Sequence, residues 1–146
     1  MSAASLSDHS QELHALVKRL EGEHRQYPVD ISELQKETLS QSEAGRLQGL
    51  FTFFQDNLTE HMLLEEFEVY PELMRKNLLD PDISSIMQQH HDVTFFLGKM
   101  ELSLRLHNLT EFKLALDELA EVLRLHQPVE EEKVFPLAVG KGELSQ

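Results

Sequence analysis

The chain contains no cysteine and no tryptophan. Without cysteine there can be no disulfide framework, no thiolate metal site and no catalytic thiol, so any metal must be bound by histidine, aspartate or glutamate. The sequence also lacks a run of about 18 apolar residues, and its first residues lack the basic and apolar regions of a signal sequence. We therefore predict a cytoplasmic protein without a membrane segment.

Basic side chains are scarce. Thirteen lysines and arginines stand against 26 aspartates and glutamates, which gives a formal net charge of -13. Such an excess opposes binding to nucleic acid and to anionic membranes, so neither is expected as a partner. Bound cations could mask part of the charge, and eight histidines without cysteine direct attention to a metal site.

The length of 146 residues suits one domain, which we expect to span residues 1–146. Apolar residues recur at helical spacing, and glycine and proline lie at segment boundaries. The sequence predicts an all-α fold with four helices, over approximately 6–25, 42–70, 82–106 and 111–135. The motif QYPVD is expected to end the first helix. Short links between amphipathic helices favour an antiparallel up-down-up-down four-helix bundle.

One phrase occurs twice, as HMLLEEFEVYP at 61–71 and as HQPVEEEKVFP at 126–136. Each copy has histidine, glutamate at +4 and +5, valine at +8, an aromatic at +9 and proline at +10. Positions four apart lie on the same face of a helix, so each copy can offer a nitrogen and an oxygen to one cation. The pairs are His61 with Glu65 and His126 with Glu130, and both follow the apolar stripe of their helix. We expect both pairs to face the interior.

Two histidines from the other helices are needed to complete such a site. On the third helix His91 is preferred over His90, because apolar or small residues follow it at +4, +7 and +11. On the first helix His9 is preferred by the same test and by its expected height along the bundle. His14 remains the alternative to His9, and His90 remains the alternative to His91.

The other polar residues near these positions receive less specific predictions. His24 and His107 are expected to have structural roles at helix ends. Glu66 and Glu131 follow the paired glutamates, and acceptor roles for ligand histidines and solvated surface roles are equally open to them. Pro128 is expected to kink the fourth helix beside the site. Packing roles are expected for the residues that close each phrase: Tyr70, Pro71, Phe135 and Pro136.

Histidine, then HxxxE, then histidine, then HxxxE on four successive helices resembles the hemerythrin-like family, often called the HHE cation-binding domain. The two phrases carry most of the resemblance, and SDHSQELHAL and MQQHHDV resemble its first-helix and third-helix motifs. The resemblance implies an antiparallel four-helix bundle holding two iron ions near its centre, with Glu65 and Glu130 bridging them. The ligands it implies are His9, His61, Glu65, His91, His126 and Glu130.

The details of the motifs differ from those of the oxygen carriers of that family. Oxygen-carrying hemerythrins use two histidines four apart on the third helix and an aspartate five residues after the last histidine. Here Phe95 follows His91 at +4, and Glu131 follows His126 at +5. The four-histidine, two-glutamate set is more similar to di-iron proteins linked to nitric oxide and oxidative stress. Those proposed to repair iron centres commonly carry an N-terminal cysteine-containing segment, which is absent here.

The sequence leads to the hypothesis of a non-haem di-iron protein that binds or reacts with oxygen, nitric oxide or peroxide, in stress response or iron homeostasis. Alternatives are a metal-responsive sensor or interaction module, and an iron-holding protein without turnover. Zinc also suits imidazole and carboxylate ligands and is a substitute for iron. No nucleophile with an oriented base stands out, so any enzymatic activity would come from the metals. The sequence identifies no protein partner and leaves monomer and dimer open.

Overall fold

The computed structural model describes residues 3–40 and 44–140, and side chains within 9–38 and 45–140. The described residues are helical almost throughout, without a strand. The segments are α1 (Ala3–Ser40), α2 (Ala44–Leu64), a first π-helix (Glu65–Val69), α3 (Tyr70–Arg75), α4 (Pro81–Arg105), α5 (Leu109–Val129), a second π-helix (Glu130–Val134) and α6 (Phe135–Ala138). Because α2 continues into α3 and α5 continues into α6, the chain forms four long rods. The all-α prediction is confirmed, while the antiparallel order and the single domain stay predictions.

The first helix is much longer than expected. Helix α1 passes through QYPVD with Pro28 inside it, and it ends at Ser40 rather than near residue 25. A proline within a helix costs about 3 kcal/mol, because it removes a donor and crowds the preceding turn. Beyond it, Ile31 and Leu34 continue the buried stripe of α1, and burying such a side chain contributes about 1.5–3 kcal/mol. Packing therefore offsets the proline. The predicted start of the second helix at residue 42 lies outside the described residues.

Each repeated phrase contains a π-helix. The backbone N–H of Tyr70 donates to the carbonyl of Glu65, and the N–H of Phe135 donates to that of Glu130. The proline that follows each aromatic cannot donate and would crowd the carbonyl four residues back, so a wider turn before it relieves the clash. The helices consequently continue past positions 70 and 135, where we expected them to end. Pro128, also expected to distort its helix, lies within α5.

Side chains cap the two helices of the second half. Asp80 accepts a hydrogen bond from the N–H of Ile83 at the start of α4, and Asn108 accepts from that of Glu111 at the start of α5. Capping by Asn108 starts α5 two residues earlier than predicted. His107 has a positive φ of 54° directly after α4 and is exposed, which agrees with a structural role.

The buried side chains form two apolar clusters with a polar layer between them. One cluster includes Tyr27 and Val93, and the other includes Leu20 and Ile86. Along α1 and along α4, a buried histidine lies between the residue of one cluster and that of the other. The layer of buried histidine and glutamate side chains is therefore sealed above and below by apolar contacts. Among the described residues, no helix is sufficiently long and apolar to span a membrane.

Candidate metal centre

The histidine and the first glutamate of each repeated phrase lie in the buried layer. His61 is on α2 and His126 is on α5, and both are buried. Glu65 and Glu130 are the first residues of the two π-helices, with exposed fractions of 1% and 0%. The prediction that both pairs face the interior is confirmed.

Two further histidines complete the layer, one from each remaining rod. His24 of α1 and His90 of α4 each have an exposed fraction of 4%. Together with the two pairs they form two overlapping groups, in each of which the candidate ligand atoms lie within 4.8 Å of one another. We call the side with His24 and His61 the first half-site, and the side with His90 and His126 the second half-site. Both glutamates belong to both groups, so they are placed to bridge two ions.

In the first half-site the two imidazoles face each other directly. Nε2 of His24 lies 3.1 Å from Nε2 of His61 and 3.3 Å from Oε1 of Glu130. Nε2 of His61 lies 3.5 Å from Oε2 of Glu65. All four inward atoms are thus within a few ångströms of one point. The ring of Phe135 stacks on His24 from outside, with centroids 5.6 Å apart.

The second half-site has the same plan and one additional polar group. Nε2 of His90 lies 3.1 Å from Oε1 of Glu65, and Nε2 of His126 lies 2.9 Å from Oε1 of Glu130. The hydroxyl of Tyr70 lies 2.9 Å from Nε2 of His90 and donates to Oε2 of Glu130 at 3.0 Å. Tyr70 is at the same place in its phrase as Phe135 in the other. The hydroxyl of Tyr70 in the second half-site therefore has no counterpart on Phe135 in the first.

The other ring nitrogen of each histidine has a partner outside the layer. The Nδ1 contacts are His24 to Glu131 (3.1 Å), His61 to Glu23 (2.9 Å), His90 to Glu66 (3.0 Å) and His126 to Gln89 (2.8 Å). Carboxylate and amide oxygens accept, so each Nδ1 is placed to donate and each Nε2 lone pair is left facing the layer. Of the two roles open to Glu66 and Glu131, the structure shows the acceptor role.

The two central carboxylates have opposite electrostatic situations. Burial, together with the charge of Glu130, raises the pKa of Glu65 well above its ordinary value. Burial also opposes ionisation of Glu130, but its close neighbours Glu65, His126 and His24 hold the pKa of Glu130 well below its ordinary value. The two buried carboxylates therefore oppose each other's ionisation, and it is the pKa of Glu65 that rises. Burial likewise lowers the pKa of His61.

Several buried atoms of the layer have no hydrogen-bond partner among the described residues. They include both carboxylate oxygens of Glu65 and Oε1 of Glu130. A buried acceptor without a donor is costly, and opposed imidazole lone pairs such as those of His24 and His61 repel. A cation bound by Nε2 and carboxylate oxygens removes both problems at once. The donor set of imidazole nitrogen and carboxylate oxygen suits iron and zinc, so the residues fit a two-metal centre.

Comparison with protein families gives a match that agrees with this geometry. The sequence pattern of the hemerythrin HHE cation-binding domain matches residues 3–73 and, in a second alignment, residues 44–138. The chain belongs to the hemerythrin HHE cation-binding domain family. Comparisons with curated proteins and with solved structures gave no match. A hemerythrin domain binds metal cations, and its expected ligands, His61, Glu65, His126 and Glu130, lie together here, although metal binding by each of them stays a prediction.

The hemerythrin ligand positions predicted on the first helix were wrong. His9 lies outside the layer, is exposed, and has Nε2 3.7 Å from Oε2 of Glu72. His14 is half-buried and does not belong to either group. His24 takes the position instead, although we expected it to be structural. The height comparison failed because α1 extends 15 residues beyond the predicted end at residue 25, to Ser40.

The choice of His91 on the third helix was also wrong. His91 is exposed, whereas its neighbour His90 is buried and faces the two glutamates. Phe95 and Leu102 misled the phase comparison, because they are apolar but have exposed fractions of 60% and 54%. The buried stripe of α4 runs through His90, Val93, Leu97 and Met100.

Sequence reasoning missed three polar residues of the centre: Tyr70, Glu23 and Gln89. We expected Tyr70 only to pack, yet its hydroxyl lies within the second half-site. The signal was the tyrosine in one phrase where the other has phenylalanine. Glu23 and Gln89 each precede an inward histidine, and no pattern in the phrases marks them. They become evident only when the rods are packed together.

Proposed function

We propose that this hemerythrin domain is a non-haem di-iron protein that binds or reacts with a small oxidant of the oxygen, nitric oxide or peroxide class. The observation that carries the proposal is the pair of overlapping groups that share Glu65 and Glu130. Four imidazoles and two carboxylates for two metals leave coordination positions open. Iron, when bound, would supply redox chemistry and those open positions.

The protein side chains have separate tasks in this proposal. The four inward Nε2 atoms would hold the ions, and the two glutamates would bridge them. Hydrogen bonds at Nδ1 fix the tautomer and the direction of each ring, and three of the four acceptors are glutamates. Apolar side chains line the remaining wall and limit access of water: Leu58, Met62, Val93 and Leu123.

The arrangement that we propose for the four rods is an antiparallel bundle. Only residues 106–108 separate α4 from α5, and a link of that length joins neighbouring helices that run in opposite directions. A bundle of this kind brings one inward histidine from each rod to the same height. The contacts of His24 with His61, and of His90 and His126 with the shared glutamates, support this arrangement.

The second half-site supports reaction or sensing over oxygen transport. With His90 as the inward residue, the third helix still lacks the pair of histidines four apart that oxygen carriers use. Thr94 stands four residues after His90, and its hydroxyl donates to the His90 carbonyl. The ligand set stays at four histidines and two glutamates. We therefore place the physiological role in oxidative or nitrosative stress or in iron homeostasis.

Anaerobic iron reconstitution tests the proposal. We expect about two iron ions per chain, a magnetically coupled di-iron signal, and a spectral change when nitric oxide is added. His61→Ala should abolish the coupled signal, while His107→Ala, at an exposed helix end, should leave it unchanged. A reconstituted protein that holds no coupled iron would refute the proposal, and parallel zinc loading shows whether the site prefers iron.

A metal-responsive module is the second candidate, and the orphaned oxygens of Glu65 favour it. Because the metal-free layer is strained by unpartnered acceptors, metal binding should add strongly to folding stability. If iron loading raises the melting temperature but nitric oxide, oxygen and peroxide leave the spectrum unchanged, this candidate replaces the first.

A further inference from the structure

Two polar side chains that are not among the six candidate ligands line the inner cavity of the centre. The cavity is enclosed by the ligands, by four apolar residues, and by Tyr27 and Gln127. Its volume is about 10 Å³, which is at the lower limit for holding one water molecule. The hydroxyl of Tyr27 and the amide Nε2 of Gln127 are both buried, and neither has a hydrogen-bond partner among the described residues.

Unpartnered buried donors are uncommon, and each calls for an explanation. Tyr27 has an exposed fraction of 2%, and its ring packs edge-on against His61 with centroids 5.3 Å apart. Leaving such a hydroxyl without an acceptor costs about 1–3 kcal/mol. Tyr70, in contrast, satisfies its hydroxyl through Glu130. The two tyrosines near the centre therefore differ in that only Tyr27 has a donor available for an incoming group.

The same two residues also line an outer groove of the bundle. A groove of about 500 Å³ runs between α1 and α5, and it shares Tyr27, Gln127, His24 and Leu123 with the inner cavity. Arg25 and Arg124 line the groove together with Glu131 and Glu132, so its basic and acidic side chains are balanced. Tyr27 and Gln127 thus lie where a small molecule would pass from solvent into the first half-site.

We propose that Tyr27 and Gln127 form a hydrogen-bonding subsite for a small acceptor ligand, of the azide, peroxide or nitric oxide class, at the first half-site. The hydroxyl and the amide N–H would donate to the ligand atom that points away from the metals. Their position between groove and cavity makes them the residues that decide which small molecules are retained. This inference rests on the proposed function, since it needs iron in the centre.

Azide binding tests it, because azide is a stable acceptor ligand with an optical signature on ferric iron. Iron-loaded oxidised wild-type protein is titrated beside Tyr27→Phe and Gln127→Leu. We expect each variant to bind azide about tenfold more weakly, the effect of one hydrogen bond to a charged acceptor. Gln88→Leu on the exposed face of α4 serves as the control.

A second readout separates binding from structure. In metal-free protein Tyr27→Phe should melt at the wild-type temperature or above it, because it removes an unpartnered hydroxyl. Its iron content should also equal that of wild type. Equal azide affinity in wild type and both variants, or loss of iron from both variants, would overturn the inference alone. Iron-loaded wild-type protein that binds neither azide nor nitric oxide would overturn the proposed function and the inference with it.

Discussion

The two half-sites repeat one plan with different outer groups. In the first, both Nδ1 atoms donate to carboxylates, those of Glu131 and Glu23. In the second, one acceptor is the carboxylate of Glu66 and the other is the neutral amide of Gln89. A carboxylate acceptor raises the basicity of a ligand imidazole more than an amide does. Repetition of the phrase therefore gives two overlapping groups of candidate ligands with unequal surroundings.

The hydroxyl of Tyr70 adds to this inequality. It contacts His90 and Glu130 in the second half-site, where the first has the apolar ring of Phe135 against His24. We expect the first position to hold its ion more tightly than the second.

Removal of one histidine from each half-site should have the largest effect. His24→Ala should leave the second group intact, and His90→Ala should leave the first, so each should lower the metal content from about two ions per chain to about one. Elemental analysis after dialysis measures this. Exposed histidines of the same two helices supply matched controls: His9→Ala and His91→Ala should retain the full metal content. Equal loss from His91→Ala and His90→Ala would contradict the placement of the second half-site.

The shared carboxylates should respond to pH in opposite ways in metal-free protein. The raised pKa of Glu65 means that the folded chain keeps a proton that the unfolded chain releases above about pH 4.5, so stability falls as pH rises. The side chain of the Glu65→Gln variant does not titrate. Its free energy of unfolding should therefore rise relative to that of wild type by about 1.4 kcal/mol per pH unit in that range. Urea unfolding at several pH values measures it.

Glu130→Gln is the matched comparison for that experiment. The pKa of Glu130 is held low, so its ionised form stabilises the fold above the ordinary pKa and loses that stabilisation as pH falls. This variant should therefore lose stability relative to wild type near neutral pH. A pH-independent difference for both variants would refute the asymmetry of the pair.

Exchange of the outer acceptors tests the inequality itself. Glu23→Gln gives the first half-site the amide acceptor of the second, and we expect about 10- to 100-fold weaker metal binding there. Gln89→Glu makes the opposite change and should tighten the second position. Competition with a chromophoric chelator measures both affinities. Unchanged affinities in the two variants would show that the acceptor charge does not distinguish the half-sites.

The phenol should have the smallest effect. Tyr70→Phe removes the donor to Oε2 of Glu130 and should destabilise metal-free protein by about 1–2 kcal/mol. Phe135→Tyr places a hydroxyl in the corresponding position of the first half-site. Urea unfolding compares the two, and a gain of stability for Phe135→Tyr would contradict the view that only the second half-site accommodates a phenol.

The inward histidine was predicted correctly from the sequence on two of the four rods and incorrectly on the other two. Repetition and helical phase were sufficient for His61 and His126, because each is tied to a glutamate four residues later. His24 required the true length of α1. With α1 ending at Ser40 and α2 beginning at Ala44, His61 lies 19 residues after the midpoint at 42, and position 23, beside His24, lies 19 before it.

The prediction of the inward histidine on the third helix failed for a different physical reason. Its exposed apolar side chains, such as Phe95, imitate an inward stripe, and the distinction between neighbouring positions depends on which face the other rods cover. The outer acceptors could not be predicted for the same reason. Gln89 and Glu23 contact histidines of other rods, not histidines of their own rod. Tertiary packing supplied what local periodicity could not.

The π-helices have a consequence for rotational phase. In an uninterrupted α-helix a side chain nine residues after a histidine would point about 180° away from it. Each π-helix takes up one additional residue, and so it turns Tyr70 and Phe135 back toward the side of the inward histidines. Each phrase therefore changes the direction in which the side chains after the glutamate point around the helix axis. Deleting a single residue between Glu65 and Tyr70 would remove that additional residue, so we expect the segment to become a regular α-helix with the phenol still on the side of the inward histidine.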